Sequence, residues 1–177
     1  MFTLAIDPGA KPGYSIANTT ELIVRPRFIK QSLPRVVAVN TTFAGIAYGD
    51  LLVVSAVVTE GQDPSAKRGG KASEANILQL AATRGAQLYR AALTYQCLTR
   101  AYVLPVKVWK DALLPGFGCA DKAVFCNRIE AELTAAEMQL LAAFPVARRQ
   151  DLLDSIGINW AGYLLNYPAK LAWKEVS

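Results

Sequence analysis

The sequence predicts an α/β protein with one mixed central sheet of about five strands flanked by helices. Extended and helical patterns alternate along the chain. Residues 51–58 form a nearly unbroken aliphatic run, which is typical of a central strand buried on both faces. Residues 74–95 carry apolar side chains at helical spacing. The 177 residues, 53% of them hydrophobic, suit a single domain over residues 1–177 with a proper core.

Strand patterns dominate the first half of the chain. The apolar run 2–6 ends at the turn Asp7-Pro8-Gly9, and 13–17 has strand character, so residues 2–18 are expected to form a hairpin. Further strands are expected at 21–24, 36–39 and 101–106, with a short helix near 41–48.

The second half is mainly helical. Ser73 is a suitable N-cap for helix 74–95, Thr134 for a later helix, and Pro145 ends that later segment. The other expected helices cover 107–114, 121–133 and 148–165, and residues 168–177 form a tail.

The composition excludes several kinds of site. The chain has no histidine, which rules out Ser–His–Asp and Cys–His catalysis. Its three cysteines, Cys97, Cys119 and Cys126, form no CxxC pair, so a zinc site is not expected. The net charge of +5 suits a polyanionic partner such as nucleic acid. No secretory signal or membrane span is visible, so a cytoplasmic location is expected.

Four carboxylates stand where a sheet end and the last helix can meet. Asp7 follows the first strand, and Glu60 ends the aliphatic strand. Asp151 and Asp154 are three residues apart in a helix and therefore share a face. Like charges at short range raise one another's pKa, and a hard divalent cation such as Mg²⁺ removes the repulsion. Each residue alone fits a turn or a helix end, but their ordered combination indicates a metal-dependent catalytic site.

Five segments resemble, in order, the RuvC family of Holliday junction resolvases, which has an RNase H-like fold. They are Ala5–Gly9 with Gly13-Tyr14, Val58–Glu60, Asn76–Gly85, Pro105–Lys122 and Asp151–Gly157. The resemblance implies a crossover junction endodeoxyribonuclease of DNA recombination and repair. Such an enzyme is a homodimer that hydrolyses phosphodiesters in branched DNA, leaving a 5′-phosphate and a 3′-hydroxyl. A compact chain without histidine would suit a phage or another mobile element.

The same resemblance assigns the site residues. The four acidic residues would hold two Mg²⁺ ions, with Mn²⁺ able to substitute, and no nucleotide cofactor is expected. Lys110 and Lys122 would match two basic catalytic residues near the scissile phosphate. The family usually carries a wedge aromatic shortly after the glutamate, whereas residues 61–64 here are Gly-Gln-Asp-Pro. Selectivity for four-way junctions therefore stays open.

A basic loop follows Glu60 directly. Lys67, Arg68 and Lys71 stand among glycines, and cations on such a loop can follow a phosphate backbone without reading sequence. Together with Arg84 they are the expected DNA-binding residues. The three tryptophans, Trp109, Trp160 and Trp173, are expected in the core or an interface rather than stacked on bases.

Three other functions remain open from the sequence. One is another RNase H-like nuclease acting on flaps or RNA–DNA hybrids. A second is a non-catalytic protein that binds branched DNA. The third is an ATPase of the sugar-kinase and actin type, whose first strand also ends in an aspartate. The chain is short for the two lobes of such an ATPase, and no second phosphate loop is evident.

Overall fold

The computed structural model describes residues 1–9, 11–49, 54–61, 74–96, 100–116 and 122–165, with the backbone alone at 48–49, 74–78 and 80. The predicted basic loop with Lys67, Arg68 and Lys71 lies outside the described residues. So do the cap residue Ser73, the tail 168–177 and the side chains of Cys97, Cys119 and Trp173.

In the described part of the chain, five strands form one mixed sheet in the order β3-β2-β1-β4-β5. The strands are β1 (Phe2–Asp7), β2 (Gly13–Arg25), β3 (Gln31–Asn40), β4 (Val54–Gly61) and β5 (Ala101–Pro105). β2 pairs antiparallel with both β1 and β3, whereas β4 runs parallel to β1 and to β5. The predicted mixed sheet and its opening hairpin are confirmed.

The helices follow the sequence prediction closely. They are α1 (Phe43–Gly49), α2 (Glu74–Thr94), α3 (Val106–Leu113), α4 (Lys122–Glu132), α5 (Ala135–Ala142) and α6 (Val146–Leu164). Thr134 caps α5 as predicted, in a capping box with Glu137. Among the helices of the described ranges, none combines the length and the apolar character that crossing a bilayer requires.

Two strand predictions need correction. Residues 21–24 are not a separate third strand but belong to the outer half of β2, which extends to Arg25 with register shifts against β3 after Ile16 and after Asn18. Residues 36–39 are only part of β3, which begins at Gln31 and includes Pro34. Proline cannot donate a hydrogen bond, but an edge strand tolerates it because one side of that strand has no partner to lose.

The sheet separates two clusters of buried apolar side chains. On β1, Leu4 and Ile6 pack in one cluster with Phe43 of α1 and Ala91 of α2, whereas Ala5 belongs to the other. This alternation is the two-residue period of a strand covered on both faces. The second cluster holds the apolar side chains of α3 to α6, including the fully buried Trp109 and Trp160, so these two tryptophans are core residues as predicted.

Helix α6 lies against β1 and β2 and is buried from Leu152 to Gly162. The side-chain amide of Asn159 donates to the backbone oxygens of Thr3, at 2.8 Å, and Ser15, at 3.2 Å, and thereby ties the helix to both strands. At the start of β2, a Cβ on Gly13 would lie 2.1 Å from the Asp151 carbonyl oxygen. Only glycine allows this approach.

The outer end of β2 is held by a buried ion pair. Arg25 is fully buried and donates to both carboxylate oxygens of Glu137 on α5, at 2.8 and 3.0 Å. Its guanidinium also lies 4.0 Å from the ring centroid of Trp160. The backbone N–H of Val36 in β3 donates to Glu137 at 2.8 Å. The pair therefore joins β2, β3, α5 and α6.

Replacing Arg25 by Ala should destabilise the fold by about 3–5 kcal/mol at pH 7, because Glu137 would remain buried without its counter-charge. Burial alone would raise the pKa of Glu137, but Arg25 and the backbone donors hold it below its ordinary value of 4.5. The stabilisation from this carboxylate is therefore complete above pH 4.5 and is lost as the pH falls through the folded-state value. Urea unfolding should show the wild type and Arg25→Ala converging on acidification.

The exposed ion pair between Arg35 and Glu21 is a matched control, with an N–O distance of 2.6 Å. Arg35→Ala should cost less than about 1 kcal/mol, because solvent screens a surface pair. An equally small loss for Arg25→Ala would show that the buried pair does not support the fold.

Candidate functional site

Sheet topology brings Asp7 and Glu60 to the same end of the sheet. Asp7 is the last residue of β1 and pairs with Gly13 of β2. Glu60 is the penultimate residue of β4, which runs parallel to β1 with Thr59 opposite Ile6. Because neighbouring parallel strands end at the same edge of a sheet, the two carboxylates lie side by side at the ends of β1 and β4.

Helix α6 adds the third and fourth carboxylates at this end. Its crossing places Asp154, which is only 4% exposed, near enough to Asp7 and Glu60 to raise the pKa of both. Among the named causes of the pKa shift of Asp7, the charge of Asp151 is the smallest, and Asp151 itself is half-buried. The structure therefore groups Asp7, Glu60 and Asp154, with Asp151 at the margin.

The charges in this group are only partly compensated. Burial, followed by the repulsion of Asp154 and Glu60, raises the pKa of Asp7 from 3.8 to about 8, although Lys122 opposes the change. Burial and Asp154 likewise raise the pKa of Glu60, against a hydrogen bond from Trp109 and the charges of Lys110 and Arg84. Two carboxyl groups thus resist ionisation in the metal-free protein.

Lys122 is the counter-ion of Asp154. Its Nζ lies 2.7 Å from Asp154 Oδ2, and its side chain is 48% exposed. Burial lowers the pKa of Lys122, but the bond to Asp154 and the charge of Asp7 outweigh this, so the net shift is upward. On the other side, Cys126 Sγ lies 3.5 Å from Asp154 Oδ1. Both oxygens of Asp154 therefore have protein partners.

Asp151 is paired differently from Asp154. Arg148, one turn earlier in α6, lies 3.5 Å from Asp151 Oδ2 and donates to the Pro12 carbonyl oxygen at 2.9 Å. Arg148 thus links the start of α6 to the loop between β1 and β2, next to the carboxylate group.

The predicted basic residues within the described ranges also reach the site. Lys110 of α3 and Arg84 of α2 both lower the pKa of Glu60, which places their charges near this carboxylate. Lys110 Nζ lies 5.4 Å from the ring centroid of Trp109 and 5.2 Å from that of Phe125. Lys110, Lys122 and Arg84 therefore border the carboxylates from three helices.

Sequence reasoning missed two residues of this site. Trp109 was expected in the core, where it is, but its indole Nε1 also donates to Glu60 Oε2 at 3.2 Å. Cys126 was not singled out, and burial and Asp154 raise the pKa of its thiol. The only available signal was proximity in sequence to the predicted lysines.

The chemistry of the donor set fits a hard divalent cation such as Mg²⁺, because these ligands are carboxylate oxygens with unrelieved repulsion. Within the described residues, however, no three Asp, Glu or Cys side chains lie close enough together to bind one ion. Lys122 holds Asp154 instead. Ligation would require Asp154 to leave Lys122 and the carboxylates to rotate towards one another.

No protein-family model matches the chain, and no curated protein is similar to it in sequence. The solved structures that are similar to it in fold include two of RuvC. Thermus thermophilus RuvC is 18% identical with a TM-score of 0.52, over 93% of this chain and 95% of that one. T. thermophilus RuvC in complex with Holliday junction substrate is 16% identical with a TM-score of 0.54, over 93% and 94% of the two chains. The predicted RNase H-like fold is therefore confirmed.

Asp7→Asn should stabilise the metal-free protein at alkaline pH. The folded-state pKa of Asp7, about 8, is above its ordinary value of 3.8, so its contribution is most favourable below pH 3.8 and is lost as the pH rises through 8. The free energy of unfolding of the variant should therefore exceed that of the wild type by about 1–3 kcal/mol at pH 9, allowing for partial solvation of the Asp7 carboxylate. The gain should vanish near pH 4. Urea unfolding in EDTA at pH 4, 7 and 9 measures it.

Glu21→Gln, which removes an exposed carboxylate of β2, is the control and should alter stability by less than about 1 kcal/mol at each pH. An Asp7→Asn protein less stable than the wild type at pH 9 would contradict the repulsion inferred for this site.

Proposed function

We propose that this chain is a metal-dependent endonuclease that cleaves phosphodiesters in Holliday junctions or related branched DNA. The convergence of Asp7, Glu60 and Asp154 at one end of an RNase H-like sheet carries the proposal. Two lysines beside an acidic group are suited to phosphodiester chemistry, since they can stabilise charge on phosphoryl oxygens. The likeness to a RuvC structure with bound Holliday junction supports branched DNA as substrate.

In this proposal Asp7, Glu60, Asp154 and Asp151 hold two Mg²⁺ ions, and Mn²⁺ can replace them. When bound, such ions activate water and stabilise the attacking and leaving oxygens. Release from Asp154 would free Lys122 to face the scissile phosphate together with Lys110, which already lies beside Glu60. The expected products are a 5′-phosphate and a 3′-hydroxyl.

Contacts of basic side chains with the phosphate backbone would supply most of the affinity for DNA. Arg84 borders Glu60, and the proposal extends this basic surface to Lys67, Arg68 and Lys71. Lysine and arginine contacts to phosphates carry no sequence information. Because residues 61–64 lack the wedge aromatic of RuvC, the proposal includes other branched DNA besides four-way junctions.

One observation favours a second candidate, a non-catalytic protein that binds branched DNA. Lys122 neutralises Asp154 directly, and the described residues provide no ready set of three ligands. A protein of this kind would bind a junction without cutting it, and binding would survive replacement of the carboxylates.

The direct test incubates the wild type and Asp7→Asn with labelled four-way junctions, flaps, duplex and RNA–DNA hybrid, in Mg²⁺ and in EDTA. The wild type should place paired symmetric nicks in junctions only in Mg²⁺. Asp7→Asn should cut at least about 100-fold more slowly while still binding, since loss of residues that merely support ligands already costs about 10–100-fold.

Glu21→Gln should cleave as the wild type does, because Glu21 forms an exposed pair on β2. Equal cutting of all substrates would favour another RNase H-like nuclease. Junction binding without cleavage in either Mg²⁺ or Mn²⁺ would favour the non-catalytic protein.

We further propose that the chain is a homodimer. Helix α2 exposes a row of small and apolar side chains, Ala82, Ala86, Tyr89 and Leu93, at spacings of three and four residues. Tyr89 is 60% exposed and Leu93 46%. A two-fold pair of subunits would offer two sites to the two strands of a symmetric junction.

Leu93→Glu should shift the protein from dimer to monomer in sedimentation velocity, because a charge in a closely packed apolar interface would be desolvated. Val146→Glu is the control. Val146 is 76% exposed at the start of α6, away from α2. A monomeric wild type on junction DNA, or a Leu93→Glu protein that still dimerises, would contradict the proposed interface.

A further inference from the structure

Trp109 makes a polar contact that its burial does not require. The side chain is fully buried in α3, and its indole N–H donates to Glu60 Oε2 at 3.2 Å. A buried indole usually finds a partner, and a backbone carbonyl is sufficient. Trp160, the other fully buried tryptophan, donates to the Pro34 carbonyl oxygen at 2.9 Å. Trp109 instead donates to a carboxylate of the candidate site.

The indole of Trp109 is fixed from several sides. Its ring meets the ring of Phe125 on α4 edge-on, with centroids 5.2 Å apart and planes at 80°. A Cβ on Gly157 of α6 would lie 2.8 Å from Trp109 Cζ3, so the helix leaves room for the indole only because residue 157 has no side chain. The donor therefore reaches Glu60 from a rigid support.

The same aromatic pair also lies beneath Lys110. The Lys110 ammonium is 5.4 Å from the Trp109 ring centroid and 5.2 Å from that of Phe125. A cation within about 6 Å of an aromatic face is attracted to it. The charge of Lys110 also acts on Glu60, where it favours the ionised carboxylate, as does the hydrogen bond from Trp109.

We propose that Trp109 is a positioning residue: its N–H fixes Glu60 through Oε2, and its ring with Phe125 seats Lys110 beside the same carboxylate. Glu60 Oε1 is then oriented for a divalent cation. The inference rests on the proposed function, in which Glu60 is a metal ligand. Loss of such a supporting contact typically weakens metal binding about 10–100-fold.

The contact itself can be tested without metal or substrate. In the metal-free protein labelled with ¹⁵N-tryptophan, the indole signal of Trp109 is assigned as the one that is lost neither in Trp160→Phe nor in Trp173→Phe, since the chain has three tryptophans. Glu60→Gln should move this signal and leave that of Trp160 in place. An unmoved Trp109 signal would overturn the inference, and this arm does not depend on Trp109→Phe being stable enough for activity measurements.

The positioning role is tested by Mn²⁺ titration calorimetry of the wild type, Trp109→Phe and Trp160→Phe. Both variants lose one buried indole hydrogen bond, so a general loss of packing would affect them alike. Only Trp109→Phe should bind Mn²⁺ at least about 10-fold more weakly. It should also lower kcat on four-way junctions with little change in KM, because Trp109 is fully buried and makes no contact with DNA in the proposal.

The possible failures can be told apart. Wild-type protein that binds no Mn²⁺ would refute the proposed function and the positioning role together, even if the indole contact is present. Wild-type Mn²⁺ binding with the same affinity in Trp109→Phe would overturn this inference alone. Equal weakening in Trp109→Phe and Trp160→Phe would also overturn it, since the effect would then be structural.

Discussion

The bonds from the buried Asn159 amide to the carbonyl oxygens of Thr3 and Ser15 fix where the last helix crosses the sheet. Asn159 lies five residues after Asp154, so this tie sets how far along β1 the acidic part of α6 reaches. Together with the close approach of α6 at Gly13 and the bond from Arg148 to Pro12, this tie fixes the relation of the helical carboxylates to Asp7. The grouping of acidic side chains therefore depends on a polar bond within the core, where an unmade hydrogen bond is costly.

Bringing the site carboxylates together in a buried place opposes folding, because burial disfavours their charges and the charges repel one another. The raised pKa values of Asp7 and Glu60 indicate that ionising these side chains reduces stability. Lys122 relieves this only in part at Asp7, as do Lys110 and Arg84 at Glu60. Stabilisation comes from elsewhere: the apolar clusters on both sheet faces and the Arg25–Glu137 pair at the outer end of β2. Such a division between a stable scaffold and a strained site is common where function needs charges that folding disfavours.

The fold could be read from the sequence to a large extent, because most elements show a clear period and clear ends. The aliphatic run before Glu60 and the helical spacing of α2 and α6 are local patterns, and these elements could be predicted from them. The length of β2 could not be predicted in this way, because residues 19–24 are partly or fully exposed and their polar and apolar side chains do not alternate. At the site, the strand-end and helix positions of the acidic residues were visible. The contacts of Trp109, Cys126 and Arg25 were not, because long-range side-chain contacts leave no local signal.

Asp7, Glu60 and Asp154 are proposed to form together a site for divalent cations at the end of β1. Diffraction from crystals soaked in Mn²⁺ tests it directly, with data collected where manganese scatters anomalously. We expect an anomalous peak bounded by these three carboxylates, with the Lys122 ammonium displaced from Asp154. Well-ordered carboxylates with no peak between them at saturating Mn²⁺, and Lys122 still paired with Asp154, would contradict it.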